Sequence, residues 1–213
     1  MEHLSKVTMT PTTGLPPRDK PQGVKGMRAR LSLFGVAATK TFDSFVGEAQ
    51  LKAYRKAQAF LDRPQSLVFH GPNGTGKTHL ALAIANALLE KHGEASAVVL
   101  FITLEDALSQ LKATYNKSYE GMGEDFYMER WRTVPVLVLD EVGIKGWHEA
   151  SPFTKKIGYD IVDGRYRLGN RPIIITTNKS PSGLGEWITE SAVDRLFEMG
   201  EFVPMEGKSW RLK

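Results

Sequence analysis

From Phe42 onward, short apolar runs alternate with longer stretches whose apolar positions recur every three or four residues. Gly47 to Phe60 carries Leu51, Tyr54 and Ala57 at spacings of three, which predicts a helix. Ser66-Leu-Val-Phe-His70 is a short run of the kind that forms a buried strand. Lys77 to His92 predicts a long helix, because Leu80, Ile84, Ala87 and Leu88 share one face and Gly93 supplies a stop. Ala97 to Ile102 predicts a second strand, after which Thr103 and Asp106 stand at the spacing of a capping box. The helix that follows has Leu104, Ala107, Leu108, Leu111 and Tyr115 as its stripe. Val134 to Leu139 is almost unbroken in its apolarity, as expected of a central parallel strand. Ser151-Pro152 makes an N-cap and first-turn proline for a helix to about Leu168, weakened by Gly158 and Gly164. Pro172 to Thr176 predicts a fourth strand, Glu190 to Met199 a helix, and Phe202-Val203 a fifth strand. Strands separated by helices imply an α/β domain with a parallel sheet covered on both faces.

Composition narrows the class. A length of 213 residues suits one domain with a tail, and 41% hydrophobic residues suffice for a sizeable core. The absence of cysteine excludes disulfides, thiolate metal sites and a cysteine nucleophile. No apolar run approaches the roughly 18–20 residues of a membrane helix, and the first twenty residues lack the apolar stretch of a signal peptide. A cytoplasmic protein without a membrane partner is therefore expected. Charge is unevenly placed. Residues 1–40 hold seven basic and two acidic residues, net +5, whereas residues 41–213 are net −1. With Pro11, Pro16, Pro17 and Pro21, residues 1–40 read as a flexible basic arm: either a solvated tail or a contact for nucleic acid or an acidic partner.

Two motifs carry the chemistry. Gly71-Pro72-Asn73-Gly74-Thr75-Gly76-Lys77-Thr78 fits the phosphate-binding loop, with a strand before it and a helix after it. Its glycines let backbone N–H groups turn toward phosphate oxygens, and the helix N-terminus adds positive charge. Lys77 is expected to reach the β- and γ-phosphates and Thr78 to hold Mg²⁺. Val136-Leu-Val-Leu-Asp140-Glu141 brings two carboxylates to the end of the third strand. Asp140 is expected to hold Mg²⁺ and Glu141 to orient and deprotonate the attacking water, a pairing that signals hydrolysis of a nucleoside triphosphate. Asn178 ends the fourth strand, either as a turn residue or as a ligand of that water. Arg195 and Arg211 are candidates for stabilising charge during phosphoryl transfer, although each alone reads more often as a surface ion-pair residue.

Together these blocks resemble the AAA+ ATPases, and within them the DnaC/DnaI/IstB-like branch of helicase loaders and transposition helpers. The resemblance covers residues 41–213. It rests on Thr41-Phe-Asp-Ser-Phe45, Gly71 to His79, Leu137 to Gly143, Ile161-Val-Asp163, Arg171-Pro172, Ala192-Val-Asp-Arg195 and Lys208-Ser-Trp-Arg211. It implies a five-stranded parallel sheet in the order 5-1-4-3-2. His79 is included with the nucleotide-binding loop, Asn178 becomes sensor 1, Arg195 an arginine finger acting on a neighbour's ATP, and Arg211 sensor 2. It further implies self-assembly with ATP sites at subunit interfaces, single-stranded DNA as a ligand, and a replicative hexameric helicase as a partner. Tyr115 matches a stacking aromatic position, with Lys112 and Lys117 placed for phosphates, and Ser151 and Phe153 match a second DNA-contacting position. Tyr115 also fits the apolar stripe, so a core residue is the competing expectation. The chain stops soon after Arg211, so no separate lid domain is expected. The absence of cysteine rules out the zinc-binding helicase-grip domain of the DnaI type. A transposition helper acting on duplex DNA, or an ATP-switched adaptor with little turnover, are the alternatives.

Overall fold

The computed structural model describes residues 39–47, 50–92, 98–116, 122–143, 150–169, 171–207 and 209. The elements run α1 (Leu51–Ala59), β1 (Ser66–His70), α2 (Lys77–His92), β2 (Val99–Thr103), α3 (Leu104–Thr114), α4 (Glu124–Thr133), β3 (Val136–Val142), α5 (Pro152–Arg167), β4 (Ile173–Thr177), α6 (Pro181–Ile188), α7 (Glu190–Met199) and β5 (Gly200–Pro204). The strands form one sheet in the order β2-β3-β4-β1-β5, the expected order read from the other edge. Every pairing is parallel.

Side chains alternate across the sheet, so each strand feeds two cores. Leu137, Leu139, Ile173 and Ile175 face a core closed by Leu104, Leu111, Trp131, Ile157, Ile161 and Leu196 from α3, α4, α5 and α7. Val136, Val138 and Ile174 face the opposite core, with Ala53 and Ala57 of α1 and Leu80, Ile84 and Leu88 of α2. All four residues from Val136 to Leu139 are buried. This explains why the run is apolar without alternation.

Local signals set the helix starts. Thr103 Oγ1 accepts from Asp106 N at 3.0 Å, the N-cap expected, while the Asp106 carboxylate accepts from the Thr103 hydroxyl at 2.8 Å instead of from its backbone N–H. Ser151 Oγ accepts from Thr154 N, with Pro152 in the first turn of α5. Several boundaries differ from expectation. α1 begins at Leu51, not Gly47. β3 runs on through Asp140 and Glu141 to Val142, so the two carboxylates lie within the strand and not after it. Tyr115 leaves the α3 stripe: it is the C-cap, and 56% exposed.

Arg165 is fully buried, and its guanidinium donates to Trp131 O and Arg132 O at the end of α4, to Pro135 O, and to Pro172 O at the entry to β4. It thereby satisfies the orphan carbonyls of a helix end and ties α4 to both central strands. Burial pulls its pKa down to about 9, which leaves it charged at neutral pH.

Candidate functional site

The loop from Gly71 to Thr78 joins β1 to α2 at the C-terminal edge of the sheet. Gly71 has φ +135°, and a Cβ there would run into the backbone carbonyl of Met205. Gly76 has φ +97°, with the Phe45 ring where a side chain would start. Thr75 Oγ1 donates to Pro72 O at 3.0 Å, closing the turn on itself. Lys77 is 6% exposed, and its Nζ donates to Gly71 O and Pro72 O, each at 2.7 Å. A buried ammonium needs acceptors, and anionic phosphate oxygens are stronger ones than these loop carbonyls. His79 faces away from that centre toward the N-terminal segment: its Nε2 lies 2.9 Å from Thr41 O and 3.3 Å from Ser44 Oγ. Burial lowers the His79 pKa, which favours the neutral ring. Phe45 packs edge-on against it at 5.1 Å.

Asp140 is 3% exposed. Its Oδ1 accepts from Thr78 Oγ1 at 3.0 Å and from Thr176 Oγ1 at 2.5 Å. Burial pushes its pKa up to about 6, against the lowering effect of the two hydroxyl donors. Thr78, from the phosphate loop, thus meets the acidic strand end directly. The donor set of a hydroxyl and a carboxylate, both oxygens, suits Mg²⁺. Glu141 N donates to Thr176 Oγ1 at 3.0 Å, and Glu141 itself has φ +58° at an irregularity in the β3–β4 register. Asn178 follows β4 directly, and its Oδ1 is buried with no hydrogen-bond partner. An unsatisfied buried acceptor beside such a site suits a bound water or ligand donor.

Arg195 stands apart from this cluster, on α7. It pairs with Asp163 of α5 at 2.5 Å, between the rings of Tyr159 and Tyr166. On the other candidate surface, Tyr115 OH donates to Glu124 Oε2 at 2.6 Å, and its ring meets Phe153 edge-on at 6.3 Å. Ser151 is exposed one residue before α5, and Lys112 is exposed in the last turn of α3. The structure brings Tyr115, Phe153 and Ser151 to one place from two elements far apart in sequence. Lys117 and Arg211 lie outside the described residues. So do residues 1–38, nearly all of the expected basic arm. Asn86 Nδ2 donates to Lys40 O, so the packed body extends at least to Lys40. Among the described residues, no helix is long and apolar enough to cross a membrane.

The family model for IstB-like ATP binding proteins matches residues 37–213. The chain belongs to this family. It is an AAA+ phosphate-loop protein of the DnaC/IstB-like branch. It is 34% identical over 153 residues to the replicative helicase loader DnaC of Escherichia coli K12, covering 70% of this chain and 58% of that one. The IstB-like chain therefore spans less than two thirds of the DnaC relative it matches. It is 30% identical over 202 residues to the putative ATP-binding protein of insertion sequence IS21 from Pseudomonas aeruginosa, covering 89% and 71%. Its fold superposes on the crystal structure of the DnaC helicase loader with a TM-score of 0.67 at 25% identity, covering 80% of this chain and 98% of that one.

Thr176, Tyr159 and Tyr166 escaped the sequence, and Asp163 entered it only as part of the Ile161-Val-Asp163 match. Thr176 bridges Asp140 and Glu141, yet it reads as an ordinary strand residue. Its signal is the period of two that places it on the same strand face as Asn178. The Tyr159, Asp163 and Tyr166 stripe of α5 holds Arg195. Their spacing of four and then three is that of one helix face.

Proposed function

We propose that this IstB-like protein is a Mg²⁺-dependent ATPase that binds single-stranded DNA and assists the loading of a replicative hexameric helicase. Residues 41–213 are the ATPase domain in this reading, and the basic residues 1–40 an arm toward DNA or the helicase. The exposed Tyr115 against Phe153 carries the DNA part: an aromatic face that the core does not use is available to any base. Lys112, Lys117 and Ser151 supply phosphate and sugar contacts around it.

Within the ATPase site, the backbone of Gly71 to Gly76 and Lys77 bind the triphosphate, and Arg211 contacts it as sensor 2. Thr78 and Asp140 would hold Mg²⁺, which would supply neutralisation of the phosphate charge. Asn178 and Glu141 hold the attacking water, and Glu141 takes its proton as the new P–O bond forms and the bond to the ADP oxygen breaks. Arg195 of a neighbouring subunit meets the charge that develops on the γ-phosphoryl group. The subunits therefore assemble with their ATP sites at shared interfaces.

The test is the steady-state ATPase rate without DNA, with single-stranded DNA, and with duplex at equal nucleotide concentration. Stimulation by single strands alone is expected, and Lys77→Ala should lower the rate by at least about a hundredfold. A wild-type rate in Lys77→Ala refutes the site assignment. Stimulation by duplex alone favours the second reading, an IstB-type transposition helper. The IS21 relative's match across 89% of the chain supports that reading. Tightly bound nucleotide with negligible turnover, even with DNA and helicase present, would instead identify an ATP-switched adaptor.

A further inference from the structure

We infer that Tyr159, Asp163 and Tyr166 form a preformed socket that sets the Arg195 guanidinium in the orientation needed to act on a neighbouring subunit's ATP. Asp163 is then a positioning residue. The inference rests on the reading of Arg195 as a finger working in trans.

The socket follows from helix geometry. Residues 159, 163 and 166 lie on one face of α5, a turn apart from each other. That face offers a carboxylate flanked by two aromatic rings. A guanidinium is planar, stacks on aromatic faces and pairs with carboxylates, so the three groups suit an arginine and not a lysine. The Arg195 Cζ lies 5.0 Å from the Tyr159 ring centre and 5.6 Å from that of Tyr166. Its Nη1 lies 2.5 Å from Asp163 Oδ1.

Two further contacts brace the arrangement. Tyr166 OH donates to Glu198 Oε2 at 2.6 Å, which pins the next turn of α7 to the same helix. Arg167 Nε donates to Asp163 Oδ1 at 3.0 Å and lies 2.9 Å from its Oδ2, so the carboxylate has a second cationic partner. The Arg195 side chain keeps 21% of its surface exposed, against 15% for Asp163. An ion pair open to solvent on both sides would be a weak restraint. This one is mostly enclosed, and it orients a long side chain before any substrate arrives. Such preorganisation acts on turnover, because a misplaced charge donor stabilises the transition state poorly.

The experiment uses the full chain with single-stranded DNA. ATP hydrolysis is measured for wild type, Arg195→Ala, Asp163→Asn, and one-to-one mixtures of each variant with Lys77→Ala. Asp163→Asn is expected to lower kcat about tenfold with KM little changed. A mixture with Lys77→Ala should then exceed the sum of the two proteins alone several-fold, because the Lys77→Ala subunit brings an intact socket and finger to the variant's intact phosphate loop. Unchanged affinity for a fluorescent ATP analogue shows that the variant is folded. If Lys77→Ala fails to rescue Arg195→Ala, the trans-finger reading itself falls. If Arg195→Ala is rescued but Asp163→Asn turns over at or above the wild-type rate, or its loss persists in the mixture, only the socket is overturned. Should Asp163→Asn fail to bind the analogue, Tyr159→Leu replaces it: a loss of about threefold with the same rescue supports the socket, and no loss refutes it.

Discussion

The Asp140 cluster and the Tyr115 surface are built on opposite terms. Asp140 and Thr176 are both buried, and with Thr78 and the Glu141 amide they satisfy one another inside the protein. Tyr115 is 56% exposed, and its side chain is steadied by Glu124 and Phe153. In the first region a group cannot be altered without touching the sheet that holds it. In the second, binding is separable from folding. A buried polar network couples chemistry to stability, and an exposed aromatic pair does not.

That contrast is sharpest at Thr176. Thr176→Val keeps the shape but takes a donor from Asp140 and the acceptor from Glu141 N. Stability in urea should fall by about 1–3 kcal/mol, and ATP turnover by about 10–100-fold. Thr176→Ser should restore most of both, and a valine variant as active as wild type would break the coupling. Tyr115→Ala should act on one quantity only. Affinity for an oligonucleotide, read by fluorescence anisotropy, should weaken by about 1–2 kcal/mol, while stability moves by less than about 0.5 kcal/mol. A large loss of stability would return Tyr115 to the core.

The remaining effect has the opposite sign. Asp140 is held at about 6 by burial, above its ordinary value of 3.8. Between those two values the folded chain binds more protons than the unfolded one, so this group makes stability fall as pH rises through the window. Its cost is fully present above pH 6. Asp140→Asn should therefore stabilise the nucleotide-free protein at pH 7, by up to about 3 kcal/mol, and flatten its stability between pH 4 and 6. The check is denaturant unfolding across that range. Equal slopes for variant and wild type would show that the carboxylate is not strained by its setting.

Much of this was legible in the residues. β1, α2 and α7 match their sequence-predicted spans because apolar periodicity and stop signals agree there. The phosphate loop and the acidic pair were legible because their chemistry needs fixed residue types at fixed spacing. α4 was not. Five of its ten residues are charged, and only Met128 and Trp131 are buried. Two anchors leave too little periodicity to detect. α6 is eight residues long and contains Gly183 and Gly185, which argue against a helix locally. Arg165 is buried although arginine is a mostly exposed type, and it continues the buried positions Ile157, Ile161 and Val162. Tyr115 had the right spacing for the stripe, but α3 ends one residue earlier and turns it outward.

The φ of +58° at Glu141 has a consequence for how this sequence can change over time. A side chain there costs backbone energy that glycine would not. The proposed role needs a carboxylate at that same position. Selection for fold and selection for hydrolysis therefore pull this codon in opposite directions. A lineage released from hydrolysis would gain robustness by losing Glu141 to glycine, and would keep its nucleotide-binding loop intact.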